Sequence, residues 1–377
     1  MQINQERLAG YFTELCVIES PSGKEGRVAD YLRRRFTELG VDAIDTDDSM
    51  EATGSETGNI IFRLAGDQTV GEPVFFACHM DTVGPTEGGI NVVRLADRFT
   101  SDGETVLGAD DKSGIAPLLE MLAILRENNI RHCPMELVFT TCEEIGLRGA
   151  KAMAPDFISA PYGYALDSTS KGSIITGAPA ANRIKVRIRG QAAHSGLAPE
   201  AGTNALALAA RALDRLTLGR LDSISTANFG LISGGTAINI VPEIIDIEGE
   251  VRSHSQGMLE SHSREIERVF TIIADHWPHS FGRPPSVTVS IEEEFPLMRL
   301  EDDAPVLRRI AKSAGAVGFP LAFDIAGGGS DANIFCNHGR PTAIIPTGMS
   351  NVHSTQEYVD LADMVRLTEL LLAMVTS

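Results

Sequence analysis

Apolar positions in this sequence recur in two rhythms. In residues 1–178, and again from about 295, short runs that are apolar throughout alternate with stretches whose apolar residues return every three or four positions. The uniform runs at 59–64, 74–78, 135–142, 162–166 and 342–345 predict strands buried on both faces. The spaced stretches predict helices over 5–18, 24–39, about 115–128, 304–314 and 361–375, with another helix after Asp331. Asn4 stands where it caps the first helix, Pro21-Ser22-Gly23 separates the first from the second, and Gly40 stops the second. Asp45-Thr46-Asp47-Asp48 reads as a solvated loop, since an EF-hand would need Gly where Met50 stands. Strands alternating with helices predict an α/β domain, a mixed central sheet flanked by helices.

Between about 179 and 294 the rhythm changes. Ile184, Val186 and Ile188 alternate with basic residues, which predicts a half-buried strand over 183–190. A helix at about 203–216, strands at 226–233 and 244–252, a helix at about 257–276 and a strand at 286–292 follow. That order is β-α-β-β-α-β, the split-βαβ arrangement. The segment has its own alternating and helical faces, so the expectation is an inserted α+β, ferredoxin-like domain over 179–294, with 1–178 and 295–377 forming the other. Gly282-Arg283-Pro284-Pro285 reads as a turn inside it, and Glu292-Glu293-Glu294 as a solvated exit.

Charge narrows the function. The 377 residues carry a formal charge of −19, which argues against nucleic acid, whose phosphates need Lys and Arg, and against an anionic membrane surface. No run reaches the ~18 apolar residues of a membrane helix, and the first residues lack an apolar signal core. Five cysteines with no C-x-x-C pair read as buried thiols in a reducing compartment. The expectation is a cytoplasmic enzyme that binds cations.

The strand ends supply the chemistry. The run at 74–78 leads into His79-Met80-Asp81, and residues two apart in an extended chain project the same way. The run at 135–142 ends in Glu143-Glu144, that at 162–166 ends in Asp167, and Asp110-Asp111 precede the helix near 115. His353 follows the last strand in Asn351-Val352-His353. One acid at a helix start is an ordinary cap. Four such endings where α/β sheets hold ligands are hard to explain as caps. Clustered buried carboxylates repel one another unless a cation compensates them. Histidines with carboxylates suit zinc or a similar divalent ion, and the inventory exceeds one tetrahedral site, so two ions sharing a bridging carboxylate are expected. Adjacent residues in extended chain face opposite sides, so one glutamate of the pair would bind metal while its neighbour faces substrate. A carboxylate left off the metals can take a proton from water. The implied reaction class is metal-assisted amide hydrolysis.

With these residues in view the sequence resembles the zinc-dependent exopeptidase family that contains peptidase T, carboxypeptidase G, succinyl-diaminopimelate desuccinylase, aminoacylase and carnosinase. The matching stretches are His79-Met80-Asp81-Thr82-Val83, Gly108-Ala109-Asp110-Asp111-Lys112, Glu143-Glu144-Ile145-Gly146, Asp167, Ala193-His194-Ser195-Gly196 and Asn351-Val352-His353. The resemblance implies that His79 and Asp167 bind one Zn2+, that Glu144 and His353 bind a second, and that Asp110 bridges both, with Co2+ or Mn2+ as alternatives to zinc. It implies Glu143 as general base and proton shuttle, acting on metal-bound water, Asp81 as the residue orienting His79, and a supporting part for Asp111 and Lys112. It further implies that the inserted domain is a lid and carries a homodimer contact, with His194, Asn239 and Arg252 as substrate contacts. The Gly-rich stretch before Asp331 resembles the family's substrate loop; no Lys-Ser/Thr follows it, so it is not a P-loop. The peptidase T branch fits best, implying removal of the N-terminal residue from short peptides. A deacylase or carboxypeptidase of the same family is the alternative, followed by a glutamyl-aminopeptidase type and by a non-catalytic metal-binding protein.

Overall fold

The uniformly apolar runs become the middle of a nine-stranded mixed sheet. Its order is Ala43–Thr46, Ile60–Leu64, Met135–Thr140, Val74–His79, Gly163–Ser168, Thr342–Pro346, Ser173–Ala178 and Met298–Arg299, with Ala322–Ile325 paired to Ser173–Ala178. This is a computed structural model, and it describes residues 2–86, 88–170, 172–278 and 284–376. Val74–His79 lies parallel between Met135–Thr140 and Gly163–Ser168, and Thr342–Pro346 runs parallel to the latter. Four neighbouring strands therefore end at one edge of the sheet. That shared direction brings together side chains more than 270 positions apart in the chain, from His79 to His353.

Every residue of Val74–His79 is buried, because both faces are covered. Phe75 meets Phe335 of the helix Asp331–Asn337 edge to face, with ring centroids 5.5 Å apart. Cys78, on the opposite face, lies under the helix Ala109–Glu127. That helix passes so close that a Cβ on Gly114 would stand 2.7 Å from the Leu166 carbonyl oxygen and 2.9 Å from Cys78 Sγ. Only glycine fits there, and its absent side chain seats the helix whose first turn contains Asp110 and Asp111.

The chain divides into two compact units, Met1–Ala178 with Met298–Ser377, and Pro179–Leu297. The second unit is an antiparallel sheet in the order Gly219–Arg220, Ser225–Gly234, Ile244–Ser253, Ala180–Arg189, Ser286–Phe295. Its four long strands have the split-βαβ order, and the helices Ala205–Arg215 and Gln256–Asp275 pack on them. Ile184, Val186, Ile188, Leu208 and Phe270 form its core.

Several elements escaped the periodicity. Ala43–Thr46 is an exposed edge strand where a loop was expected, and Asp47 beyond it accepts the Asn59 N–H at 2.8 Å. Exposure on all four residues removes the alternation by which a strand is recognised. Ser173–Ala178 and a small sheet of Val93–Leu95, Arg98–Thr100 and Tyr358–Asp360 were also missed. The expected turn at Gly282-Arg283-Pro284-Pro285 begins outside the described residues.

Gly114→Ala tests the close packing. Helix propensity alone favours alanine by about 1 kcal/mol, whereas overpacking at this site should destabilise the fold by about 1–3 kcal/mol. Urea unfolding should give a lower midpoint for the variant; a higher one would show that the helix has room to move away.

Candidate metal centre

The centre starts from one buried carboxylate between two imidazoles. Asp110 Oδ1 is 2.9 Å from His79 Nε2, and Oδ2 is 3.2 Å from His353 Nε2. His353 Nε2 is also 3.1 Å from Glu144 Oε1. Two sets of three donors share Asp110: His79, Asp110 and Asp167, and Asp110, Glu144 and His353. Within each set the ligand atoms lie no more than 4.8 Å apart. Glu143 forms a third set with His79 and Glu144. The structure therefore brings the five expected ligands and Glu143 into one cluster in the first unit.

Asp81 does more than stand beside His79. Its carboxylate lies 3.4 Å from His79 Nδ1, but its own carbonyl oxygen is nearer, at 3.0 Å. The carboxylate accepts the backbone N–H groups of Glu143 and Glu144, at 3.0 and 3.1 Å, and the Ser22 hydroxyl at 2.6 Å. Asp81 therefore fixes the main chain that carries both glutamates. The strand before them ends at Thr140, and Cys142 has a φ of +53°. The two glutamates therefore follow in a turn and not in extended chain, so the expected alternation does not apply, and a carboxylate oxygen of each lies within 4.8 Å of the other.

Two further carboxylates were not singled out in the sequence. Glu25, fully buried, accepts the Cys142 N–H at 2.9 Å through the same oxygen that accepts the Gly23 N–H. In sequence it looks like an ordinary acid at a helix start. Glu357, also buried, accepts three backbone N–H groups from the loop that leads into Asp110. Nothing in Gln356-Glu357-Tyr358 sets it apart. Lys112 is buried as well, and its ammonium donates to Ser20 Oγ at 3.0 Å, the Met80 carbonyl at 3.2 Å and the Thr82 hydroxyl. Its supporting part is to hold the chain that leaves His79. Asp111 accepts the His79 N–H at 3.3 Å, and its other oxygen is buried without a partner.

The electrostatics are those of a site short of positive charge. Burial pushes the Asp167 carboxyl well above its usual range, with Asp110 and Glu144 adding to the effect. Burial does the same to Glu143, reinforced by Asp167, Asp331 and Glu144 against the opposing pull of His79. Asp331, whose Oδ2 accepts the Thr140 hydroxyl at 2.5 Å, is pushed by burial to about 6. Burial would lower His79, but the Asp110 and Asp81 carboxylates outweigh it and raise it well above normal. His353 is raised to about 10 by Asp110 and Glu144. Acids that retain protons beside histidines that gain them are what a divalent cation replaces. Imidazole and carboxylate donors in shared sets of three fit such ions.

A cleft of about 490 Å³ opens on the cluster. Asp110, Glu143, Glu144, Asp167 and His353 line it, together with Asp324, the glycines 327–329 and the apolar side chains of Ile175, Ile325, Ile344 and Met349. Among the described residues no Lys or Arg lines it.

The three remaining candidates stand in the second unit. His194 and Asn239 are exposed neighbours: His194 bridges to Ile240, and the Ser195 N–H donates to the Asn239 carbonyl at 3.0 Å. Arg252 is partly exposed and forks onto Glu250, at 3.0 Å through both nitrogens, with its guanidinium over the Phe295 ring.

Comparison with known proteins agrees with the geometry. The model of peptidase family M20/M25/M40 matches residues 75–377. The uncharacterized protein YqjE of Bacillus subtilis is 37% identical over 374 residues, which cover 99% of this chain and 98% of that one. The crystal structure of aminopeptidase PepT from Bacillus cereus superposes with a TM-score of 0.89 at 36% identity, covering 99% of this chain and 98% of that one. A tripeptidase from Staphylococcus aureus superposes with a TM-score of 0.92 at 32% identity, covering 100% and 99%.

Proton release tests the ligand set. In the cation-free protein the folded-state pKa of His353, about 10, exceeds the ordinary 6.5. Its pairing with Asp110 and Glu144 therefore stabilises the fold fully below about pH 6.5 and is lost as pH rises through about 10. A metal ligand must be deprotonated, so zinc uptake at pH 7.5 should release about one proton or more per chain. Calorimetry in buffers of different ionisation enthalpy measures it. Uptake without release would remove His353 from the site.

Proposed function

The chain belongs to peptidase family M20/M25/M40, and from that premise we propose that it is a di-zinc aminopeptidase that removes the N-terminal residue of short peptides. The observation that carries this reading is the cleft: it adjoins the donor cluster, adds Asp324 to the acids there and has no Lys or Arg in its described lining. With the ions bound the cluster's acids are offset, which leaves Asp324 as the acid in the described lining that attracts a free α-ammonium and opposes an acidic side chain, while an N-acyl group gains nothing from it. The similarity to the PepT aminopeptidase and to the tripeptidase, each more than 30% identical along the chain, supports the same substrate class.

In this reading His79 and Asp167 hold one ion, Glu144 and His353 hold the other, and Asp110 is shared. When bound, the ions polarise the scissile carbonyl and acidify a water. Glu143 is the general base: it takes the proton from the attacking water and passes it to the departing amine. Its raised proton affinity suits a group that must hold that proton between the two steps. Asp81 keeps Glu143 and Glu144 on their separate tasks through the N–H groups it accepts. Apolar Ile175, Ile325, Ile344 and Met349 offer an uncharged surface for the first side chain.

The same reading gives residues 179–297 the part of lid and makes His194, Asn239 and Arg252 substrate contacts. A guanidinium fork suits a peptide's terminal carboxylate, for which Arg252 would exchange Glu250. A homodimer through this unit is part of the proposal. The strand Ser225–Gly234, which pairs with the short strand Gly219–Arg220 only at Thr226 and Ala227, supports it with Leu231 and Ile232, which are 66% and 56% exposed. The cytoplasm remains the proposed compartment, on the free thiols and the acidic charge.

Two measurements test this reading. Glu143→Ala should retain bound metal and lose turnover by about 10²–10⁴-fold, checked by metal analysis beside an amine-release assay; full turnover would remove Glu143 from its role. In a peptide panel with the zinc-loaded protein, Leu-Gly-Gly and Met-Gly-Gly should be cleaved at least about tenfold faster than Glu-Gly-Gly, a difference of roughly 1.4 kcal/mol. N-acetylated forms should resist. Preferred cleavage of N-acyl substrates would move the protein to the deacylase reading.

A further inference from the structure

Glu357 contributes no donor to the described cluster, yet it joins the chain entering Asp110, at the start of the helix Ala109–Glu127, to the loop on which His353 stands. It is 1% exposed. Its Oε2 accepts the N–H groups of Leu107 and Gly108, both at 2.8 Å, and its Oε1 accepts the Asp110 N–H at 3.0 Å. Glu357 also belongs to the loop of His353. The Ser350 and Tyr358 backbones close that loop with reciprocal hydrogen bonds of 2.9 and 3.0 Å, and the Glu357 N–H donates to the Ser354 carbonyl at 3.1 Å. One carboxylate thus fixes the main chain of Asp110 relative to the loop carrying His353. His79 and Asp167 need no such tie, because both stand on strands of the central sheet.

We propose that Glu357 is a positioning residue that sets the spacing of Asp110 and His353, so that the ion held by Asp110, Glu144 and His353 depends on it more than the ion held by His79, Asp110 and Asp167. The proposal rests on the two-ion reading above. The physical reason is the number of donors. A carboxylate has acceptor sites for three N–H groups. A glutamine in its place has one oxygen and an amide nitrogen that faces a donor. At least one buried N–H then loses its partner, which costs more than the bond itself contributed. The loops relax apart to reach water. His353, with its side chain 49% exposed, has little packing to hold it in place.

The test is zinc titration of the metal-free full chain, by calorimetry and by competition with a chromophoric chelator, with Co2+ absorption as the spectroscopic readout. Wild type is compared with Glu357→Gln, Glu357→Asp and Glu136→Gln. Glu136 is a control of the same kind, a buried carboxylate that accepts the Ser159 and Ala160 N–H groups, at 2.9 and 2.8 Å. Wild type should bind two ions. Glu357→Gln should bind one with wild-type affinity and the other about 10–100-fold more weakly, the usual cost of losing a group that orients a ligand. Its Co2+ spectrum should lose intensity from the weakened site alone. Glu357→Asp, which keeps the charge on a shorter arm, should fall between the two; it also keeps the question open to experiment if the glutamine variant does not fold. Glu136→Gln should melt at lower temperature and bind both ions as wild type does. Equal affinities in wild type and Glu357→Gln, equal weakening of both ions, or the same selective loss in Glu136→Gln would each overturn the proposal. A wild-type protein that binds a single ion would instead overturn the two-ion reading, and the proposal with it.

Discussion

The structure depends on a single carboxylate held between two imidazoles. Asp110 is 93% buried, in a position where an unpaired charge would be prohibitive. His79 lies against one of its oxygens and His353 against the other. Around that trio stand Glu143, Glu144 and Asp167, so the number of acids exceeds what two imidazolium ions can balance. Protons can make up the difference only by neutralising the acids, and the raised proton affinities of Glu143 and Asp167 record that pressure. Divalent cations relieve it while leaving the carboxylates charged.

The fold meets the geometric demand in two ways. Parallel strands deliver His79, the Glu143 turn, Asp167 and the His353 loop to one edge. Acids outside the donor sets then fix the loops beyond that edge. Glu25 and Asp81 accept successive N–H groups of Cys142, Glu143 and Glu144, and Glu357 accepts those entering Asp110. Buried carboxylates are tolerable in these places because each accepts two or three backbone N–H groups. The acidic chain thus uses its acids in two distinct roles, some facing the cluster and some holding the main chain behind it.

Part of this was legible in the sequence and part was not. Strands such as Val74–His79 announce themselves because both faces are covered, which leaves an apolar run with no polar interruption. The split-βαβ unit was equally plain from its alternation. The exposed strand Ala43–Thr46 left no such mark. The clustering of the named histidines and acids was readable because they follow strand ends and sit in matching motifs. Glu25 and Glu357 were not, since a carboxylate that accepts main-chain N–H groups from a distant loop looks like any other acid. Alternation was expected to part Glu143 from Glu144; a turn with Cys142 at positive φ follows the strand instead, and both carboxylates stay in one donor set.

The most direct test is a crystal structure of the zinc-loaded protein with anomalous diffraction recorded at the zinc edge. Two peaks are expected about 3.5–4 Å apart, with Asp110 touching both, His79 and Asp167 on one, and Glu144 and His353 on the other. No peak at the cluster, or a single peak that Asp110 does not touch, would contradict the account.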